Sequence, residues 1–356
     1  MNFHLPYYPA YFSLLKVITI LACCGAVYYF CNDNGININK SSLRHIFRST
    51  PFLAILACLL WSTAFFTIKI GLHYTTPLHF AGIRFILSGI LLMIIFHDMR
   101  KYFLQVLSNW KFILQVAIFQ TGILYFLLYI GLDMVPANIS AVITGASPLF
   151  VSLLAHYFLH NDRLEPVKVI SITLGITGIV MIGADRFSLN LREAREFWGI
   201  LILVLSNISS SMGNIVVARR KKSMIHPIVL NSAQLFIGGF VLYVLSRFLE
   251  TPSSGPRPFQ YYASLSWLVC LSASAYSIWF GLIRRPGVKV SELNVWKFLI
   301  PVFGAVLSWI ILSDEQPELV VVAGMVIITM ALLLLYYPLV GKALAMVKKR
   351  IASWWH

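Results

Sequence analysis

The chain has 356 residues, of which 59% are hydrophobic and only 12% are charged. A soluble domain carries roughly 25% charged residues, and mean hydropathy here is +0.80. That balance excludes a soluble enzyme, a disordered regulator and a small disulfide-stapled domain, and leaves a polytopic membrane protein. The net charge of +15 does not signal nucleic acid, because the basic residues stand in short groups between apolar runs, such as Arg219-Arg220-Lys221-Lys222 and Arg284-Arg285. The five cysteines lie in or beside apolar stretches without metal-ligand spacing, so they read as small buried hydrophobes.

The first apolar segment, 10–30, is rich in aromatics and contains Lys16. It is expected to be a membrane-inserted appendage, either an extra span or a signal-anchor, within an N-terminal extension of 1–49. Ten apolar runs follow: 51–72, 77–96, 111–132, 136–158, 166–184, 197–217, 226–248, 261–282, 290–312 and 319–339. Each approaches the roughly 20 residues that a bilayer-crossing helix needs. Lipid offers no hydrogen bonds to the backbone, so runs of this kind are helical. The expected fold class is therefore an all-α polytopic membrane protein.

Orientation follows from the basic residues. If the chain before the first run is cytoplasmic, the inner connections hold Lys40, Arg44, Arg48, Arg100, Lys101, Lys111, Arg163, Lys168, Arg219 to Lys222, Arg284, Arg285 and Lys289. The tail 341–356 adds Lys342, Lys348, Lys349 and Arg350 on the same side. The outer connections hold Arg186, Arg192, Arg195, Arg247 and Arg257. The bias places both ends of the ten-run unit, and the C-terminus, in the cytoplasm.

The two halves of the unit resemble each other. At an offset of 150, Lys69, Pro77, Arg84 and Gly89 fall on Arg219, Pro227, Gln234 and Gly239; at 153, Pro148 and Asp162 fall on Pro301 and Glu315. The pattern indicates a duplicated five-span unit, 50–185 and 196–340. Five is odd, so the second copy enters the membrane inverted, an architecture that recurs in secondary transporters.

The stretch Leu56-Ala-Cys-Leu-Leu-Trp-Ser-Thr-Ala-Phe-Phe66, followed by Lys69, Pro77 and Arg84, resembles the opening of the EamA-like branch of the drug/metabolite transporter superfamily. Ser147 to Leu154 with Asp162, and Ile300 to Ser308 with Asp314-Glu315, carry the same resemblance. It covers roughly residues 50–340. It implies ten helices in two inverted halves and movement of small metabolites across the cytoplasmic membrane. Asp162 stands where the family usually has Glu, and Ile300 where an acid is common. The resemblance names no substrate.

Ionisable and polar residues inside spans are the candidate site residues. Lys297 shares a helical face with Asn294, Pro301, Gly304 and Ser308, and its ammonium suits a carboxylate or phosphate on a solute; the alternative is a lysine that snorkels to headgroups. Arg84 is read either as a solute contact or as a helix-packing cation. Asn207, Ser211 and Asn214 form one polar stripe, and Asn231 and Gln234 another; both suit either a wet cavity or interhelical hydrogen bonds. Trp61, Thr63, Gln120, Tyr125, Tyr129 and Thr144 offer further contacts, with Tyr125 the best placed. Pro148 and Pro301 are expected bending points. His156 is the one histidine considered for proton coupling.

The resulting expectation is a secondary transporter of a small anionic or zwitterionic solute, such as an amino acid, working by alternating access in the bilayer without a cofactor. The fifth and tenth spans are expected to face lipid or a second copy in a homodimer. A non-transporting receptor or scaffold is the alternative, and it would need no Lys297. A membrane enzyme is a third reading, but no HExxH, GxxxxGK[ST] or GxSxG motif is present.

Overall fold

The computed structural model describes residues 49–159, 166–185, 191–220, 225–251, 255–285, 288, 293–312 and 315–335. The N-terminal apolar segment, the basic tail, Asp162, Glu292 and Asp314 lie outside these residues. Every element among the described residues is helical.

The first span is two helices, α1 (Thr50–Ser62) and α2 (Ala64–Leu72). Ser49 caps α1 by accepting from the Phe52 amide at 3.4 Å, and a proline sits in the first turn. The chain bends at Thr63, where successive hydroxyls donate back into the helix: Ser62 to the Cys58 carbonyl at 2.9 Å, Thr63 to Leu60 at 2.7 Å and Thr67 to Thr63 at 2.7 Å. Such back-bonding weakens the regular ladder and favours a bend.

α3 (Pro77–Phe96) starts on a proline, which suits a first turn whose N–H groups have no helical partner. It packs along α11 (Pro227–Leu249) with almost no side-chain spacer. A Cβ at Gly82 would lie 2.6 Å from the Tyr243 backbone nitrogen, and one at Gly89 2.9 Å from the Phe236 nitrogen. Small residues of this kind let membrane helices approach closely.

α4 (Met99–Ser108) follows after His97, which has φ of 60°. It is a ten-residue amphipathic helix between spans. α5 (Trp110–Ala117) leads through a π-helical turn at Ile118–Gly122 into α6 (Ile123–Met134). α7 (Ala137–Gly145) and α8 (Ser147–Phe158) are one span broken at Ala146, with Pro148 in the first turn of the second piece. α9 (Pro166–Asp185), α10 (Leu191–Arg219), α11 and α12 (Phe259–Arg284) are continuous. A 3-10 turn at Val295–Phe298 joins the helical residues Leu293 and Asn294 to α13 (Leu299–Ile311), and α14 (Leu319–Leu335) ends the described chain.

Among the described residues, seven helices are long and apolar enough to cross a membrane: Thr50–Leu72, Pro77–Phe96, Trp110–Met134, Ala137–Phe158, Ala194–Arg219, Pro227–Leu249 and Phe259–Arg284. Three further apolar helices, Val169–Ile182, Leu299–Ile311 and Leu319–Leu334, are shorter. Within the expected span 290–312, Leu293 and Asn294 are α-helical, a 3-10 turn follows at Val295–Phe298 and then α13, so Lys297 sits on a tightened turn and not within a regular α-helix.

The pairings cross between the halves: α3 with α11, α9 with α14, α6 with α10, α7 with α13 and α1 with α12. The bundle has two chemically distinct ends. One gathers Lys101, Lys111, Arg219, Arg220, Arg284 and Arg285; here Arg219 donates to the Phe158 carbonyl at 2.8 Å, Arg284 to Ile225, and Arg285 to Thr50 at 3.1 Å. The other carries Asp133, Glu250 and Glu315. α9 and α14 present exposed apolar side chains, among them Val169, Ile170, Val180, Met330 and Leu333.

Candidate solute-binding cavity

Halfway along the helices lies a cavity of about 70 Å³. It is narrower than the roughly 300–1,000 Å³ typical of small-molecule sites. Its wall draws on both halves of the chain: Trp61, Phe65 and Ile68 from the first span, Arg84 from α3, Gln120 from the π-helical turn, and Leu124, Tyr125 and Leu128 from α6. Thr144 and Ser147 flank the break in the fourth span, and Ser210, Tyr276, Lys297 and Ile300 complete it.

The local backbone explains why several of these side chains point inward. A π-helical turn adds a residue to the helical register and so re-aims the side chains around it, which is why such turns recur at functional sites. Here it carries Gln120, buried against Gly213 of α10, where a Cβ would lie 2.1 Å from the Gln120 amide oxygen. The neighbouring Thr121 donates to Gln234. Breaks at Thr63 and Ala146, and the 3-10 turn at Val295–Phe298, place interrupted backbone beside the same space. Irregular backbone at membrane depth is tolerated where it is enclosed by protein or lines a cavity.

Lys297 is 5% exposed. Its Nζ lies 4.9 Å from the centre of the Trp279 ring and 5.7 Å from that of Trp61. Trp61 also packs edge-on against Trp279 at 5.1 Å and Tyr276 at 5.4 Å between ring centres. Indole faces attract an ammonium by about 0.5–2 kcal/mol, far less than a carboxylate would, and no carboxylate pairs with Lys297 among the described residues.

Arg84 is 1% exposed. Its Nε donates to the Ser272 hydroxyl at 2.9 Å and the Leu268 carbonyl at 3.3 Å, and Nη1 to the Tyr129 hydroxyl at 2.8 Å. The guanidinium also lies over the rings of Phe85 and Tyr125, at 4.8 and 5.7 Å. No carboxylate pairs with it among the described residues. The hydroxyls of Tyr125 and Tyr276 meet at 2.8 Å between the two cations' surroundings.

Of the residues singled out in the sequence, Lys297, Arg84, Tyr125, Trp61, Gln120 and Thr144 line this cavity. Asn207, Ser211, Asn214 and Gln234 are buried in helix contacts. Asn207 donates to the Ile143 carbonyl at 2.6 Å, and Ser211 to Asn207 at 2.7 Å. Asn214 accepts from the Trp279 indole at 3.3 Å, and Gln234 donates to Asn231 at 3.0 Å. Asn214 thus bears on the site indirectly, by holding the tryptophan that lies beside Lys297. Asn294 is fully buried without lining the cavity, Pro301 packs on Gly145, and His156 is exposed on α8. Tyr276, Trp279, Ser147 and Ser210 were not singled out. Tyr276 follows Tyr125 by 151 positions, inside the repeat offset, and that spacing is the signal that could have found it.

A second, more polar cavity of about 330 Å³ opens at the acidic end, bordered by Lys69, His73, Asp133, Arg195, Glu196 and Glu315. Arg195 and Asp133 form an exposed ion pair at 2.7 Å across it. No group of three or more His, Cys, Asp or Glu side chains capable of holding a metal occurs among the described residues.

A helical bundle with membrane-length apolar helices around a central, mostly apolar cavity that holds two buried cations is the build of a multi-pass membrane transporter. The chain belongs to the EamA-like transporter family, which it matches in two segments, 48–184 and 197–337. It is 27% identical over 286 residues to the uncharacterized transporter YvbV of Bacillus subtilis (strain 168), covering 80% of this chain and 90% of that protein. It is 24% identical over 259 residues to the uncharacterized transporter YoaV of the same organism, covering 72% and 86%. The uncharacterized inner membrane transporter YedA of Escherichia coli (strain K12) is 26% identical over 234 residues, covering 62% and 71%. A solved crystal structure of a protein superposes with a TM-score of 0.61 at 17% identity, covering 80% of this chain and 94% of that one. At that identity the likeness is one of fold alone.

Proposed function

We propose that this protein is a secondary transporter that moves a small carboxylate- or phosphate-bearing solute across the cytoplasmic membrane by alternating access, with Lys297 as the group that receives the acidic moiety. One observation carries the reading. A lysine buried at the cavity wall is faced by two indoles and has no carboxylate partner among the described residues. An ammonium without a counter-charge is costly to bury, and a solute anion relieves that cost when it arrives.

The same reading takes the ten apolar helices as two inverted five-helix halves. The two family segments and the cross-half helix pairings support it. The basic end faces the cytoplasm, in keeping with the positive-inside tendency. The cavity then lies at the interface of the halves, where transporters of inverted-repeat design hold their solutes.

The test is binding and counterflow with the purified, reconstituted full chain. Short carboxylates and phosphate esters are screened against wild type and Lys297→Met by thermal stabilisation and tryptophan fluorescence. Hits are then loaded into liposomes for exchange. Stabilisation and exchange that vanish in Lys297→Met support the proposal. Equal behaviour of both proteins overturns the role of Lys297, and the absence of any exchange favours a scaffold.

A further inference from the structure

We propose that the solute carries two acidic groups separated by an apolar spacer, one bound at Lys297 and the other at Arg84. The inference rests on the transport reading above and deepens it by naming the substrate class.

The cavity wall holds two buried cations, and neither has a carboxylate partner among the described residues. They occupy different stations. Lys297 lies against Trp61 and Trp279, whereas Arg84 lies against Tyr125 and bonds Tyr129. Tyr276 stands between them, with its ring 5.4 Å from that of Trp61 and 6.4 Å from that of Tyr125. A monoanion would leave one charge buried without compensation.

The geometry at Arg84 favours a ligand. Its Nε and Nη1 are pinned by Ser272, Leu268 and Tyr129, and Nη2 bonds nothing among the described residues although the side chain lines the cavity. A guanidinium held in place with one amino group free is pre-organised, so little rotamer entropy is lost when an oxyanion binds. Phe65, Ile68, Leu124 and Leu128 line the same cavity. The wall thus offers two cations and hydrocarbon, and a solute matching it carries two acids joined by an apolar spacer. The Tyr125–Tyr276 hydroxyl pair lies alongside and can serve one polar substituent on the spacer.

The experiment is a chain-length series on the purified full chain. α,ω-Dicarboxylates and ω-phosphonocarboxylates of increasing length are compared with monocarboxylates of the same carbon number, read by fluorescence of the tryptophans beside Lys297 and by thermal shift. Wild type is expected to bind one length of diacid at least tenfold more tightly than its monoacid. Arg84→Gln is expected to abolish that preference, so that the diacid binds no more tightly than its monoacid. A preference that survives in Arg84→Gln overturns the proposal. Should that variant not fold, the wild-type series decides by itself: a maximum at one length supports the proposal, and affinity that only rises with apolar surface overturns it. Monoacid binding that depends on Lys297 without any diacid advantage removes this inference and leaves the transport reading standing. No binding of any acid to folded wild type overturns both.

Discussion

Glu250, at the end of α11, closes the N-terminus of α3: its carboxylate accepts from the Leu78 amide at 2.7 Å and the His79 amide at 3.0 Å. Glu315 does the same for α7, accepting from Ala137 and from Asn138 at 3.0 Å. Carboxylates suit these positions because the first amides of a helix are unpartnered and carry partial positive charge. Both clamps join the two family segments, and both lie at the acidic end. Glu250→Gln retains one acceptor, and is expected to lower stability by about 1–2 kcal/mol, measured by thermal unfolding in detergent. In a cysteine-free background carrying His73→Cys, Glu315→Gln is expected to raise labelling by an impermeant maleimide. Unchanged labelling would show that this clamp does not hold the acidic end shut.

Replacing Lys297 by methionine keeps the length of the side chain and removes a buried, uncompensated charge. Such a substitution is expected to stabilise the ligand-free protein by about 1–3 kcal/mol while abolishing anion binding. Gain of stability with loss of function is the mark of a charge kept for a ligand. A variant that is less stable than wild type would show that the ammonium contributes to the fold.

Gly82 is a position where size alone decides. A Cβ there lies 2.6 Å from the Tyr243 nitrogen and 2.7 Å from its Cα, and backbone cannot move aside as a side-chain tip can. Gly82→Val is expected to cost about 1–3 kcal/mol by overpacking. The effect is checked by the melting temperature and the monodispersity of the purified protein.

α4 has three sides. Tyr102 and Gln105 face the bundle, bonding the Ser232 hydroxyl at 3.0 Å and the His226 amide at 2.6 Å. Met99, Phe103, Leu104 and Leu107 are exposed apolar residues, and Arg100 and Lys101 are exposed and basic. That pattern suits a helix lying in the headgroup plane. Trp110, 56% exposed at its end, is expected to be quenched by lipids brominated high on the acyl chain more than by those brominated near its end. The reverse order would place α4 away from the interface.

Hydropathy read from the sequence marks the ranges of these helices closely. The expected run 77–96 coincides with α3, because a proline opens it and bilayer thickness limits it. The expected 226–248 falls within one residue of α11 at each end. α4 is absent from that reading because ten amphipathic residues carry no sustained apolar run. The break at Thr63 is also unseen, since it leaves composition unchanged, whereas the break at Ala146 falls two residues before the expected bending point Pro148. Within the candidate site, Arg84, Tyr125 and Lys297 were legible as polar groups inside spans. The amides of Asn207, Asn214 and Gln234 were legible as polar but not as packing residues. A polar stripe serves a cavity or a neighbouring helix according to how its own helix is rotated, and rotation is set by tertiary contacts.

The hollow at Gly213 makes the cavity adjustable from behind. Gln120 rests its amide where a side chain on α10 would otherwise stand. An alanine there must dislodge that flexible amide, while Lys297 and Arg84 keep their places. Position 213 thereby sets how much room the Gln120 side chain leaves in the cavity, from a helix face turned away from it.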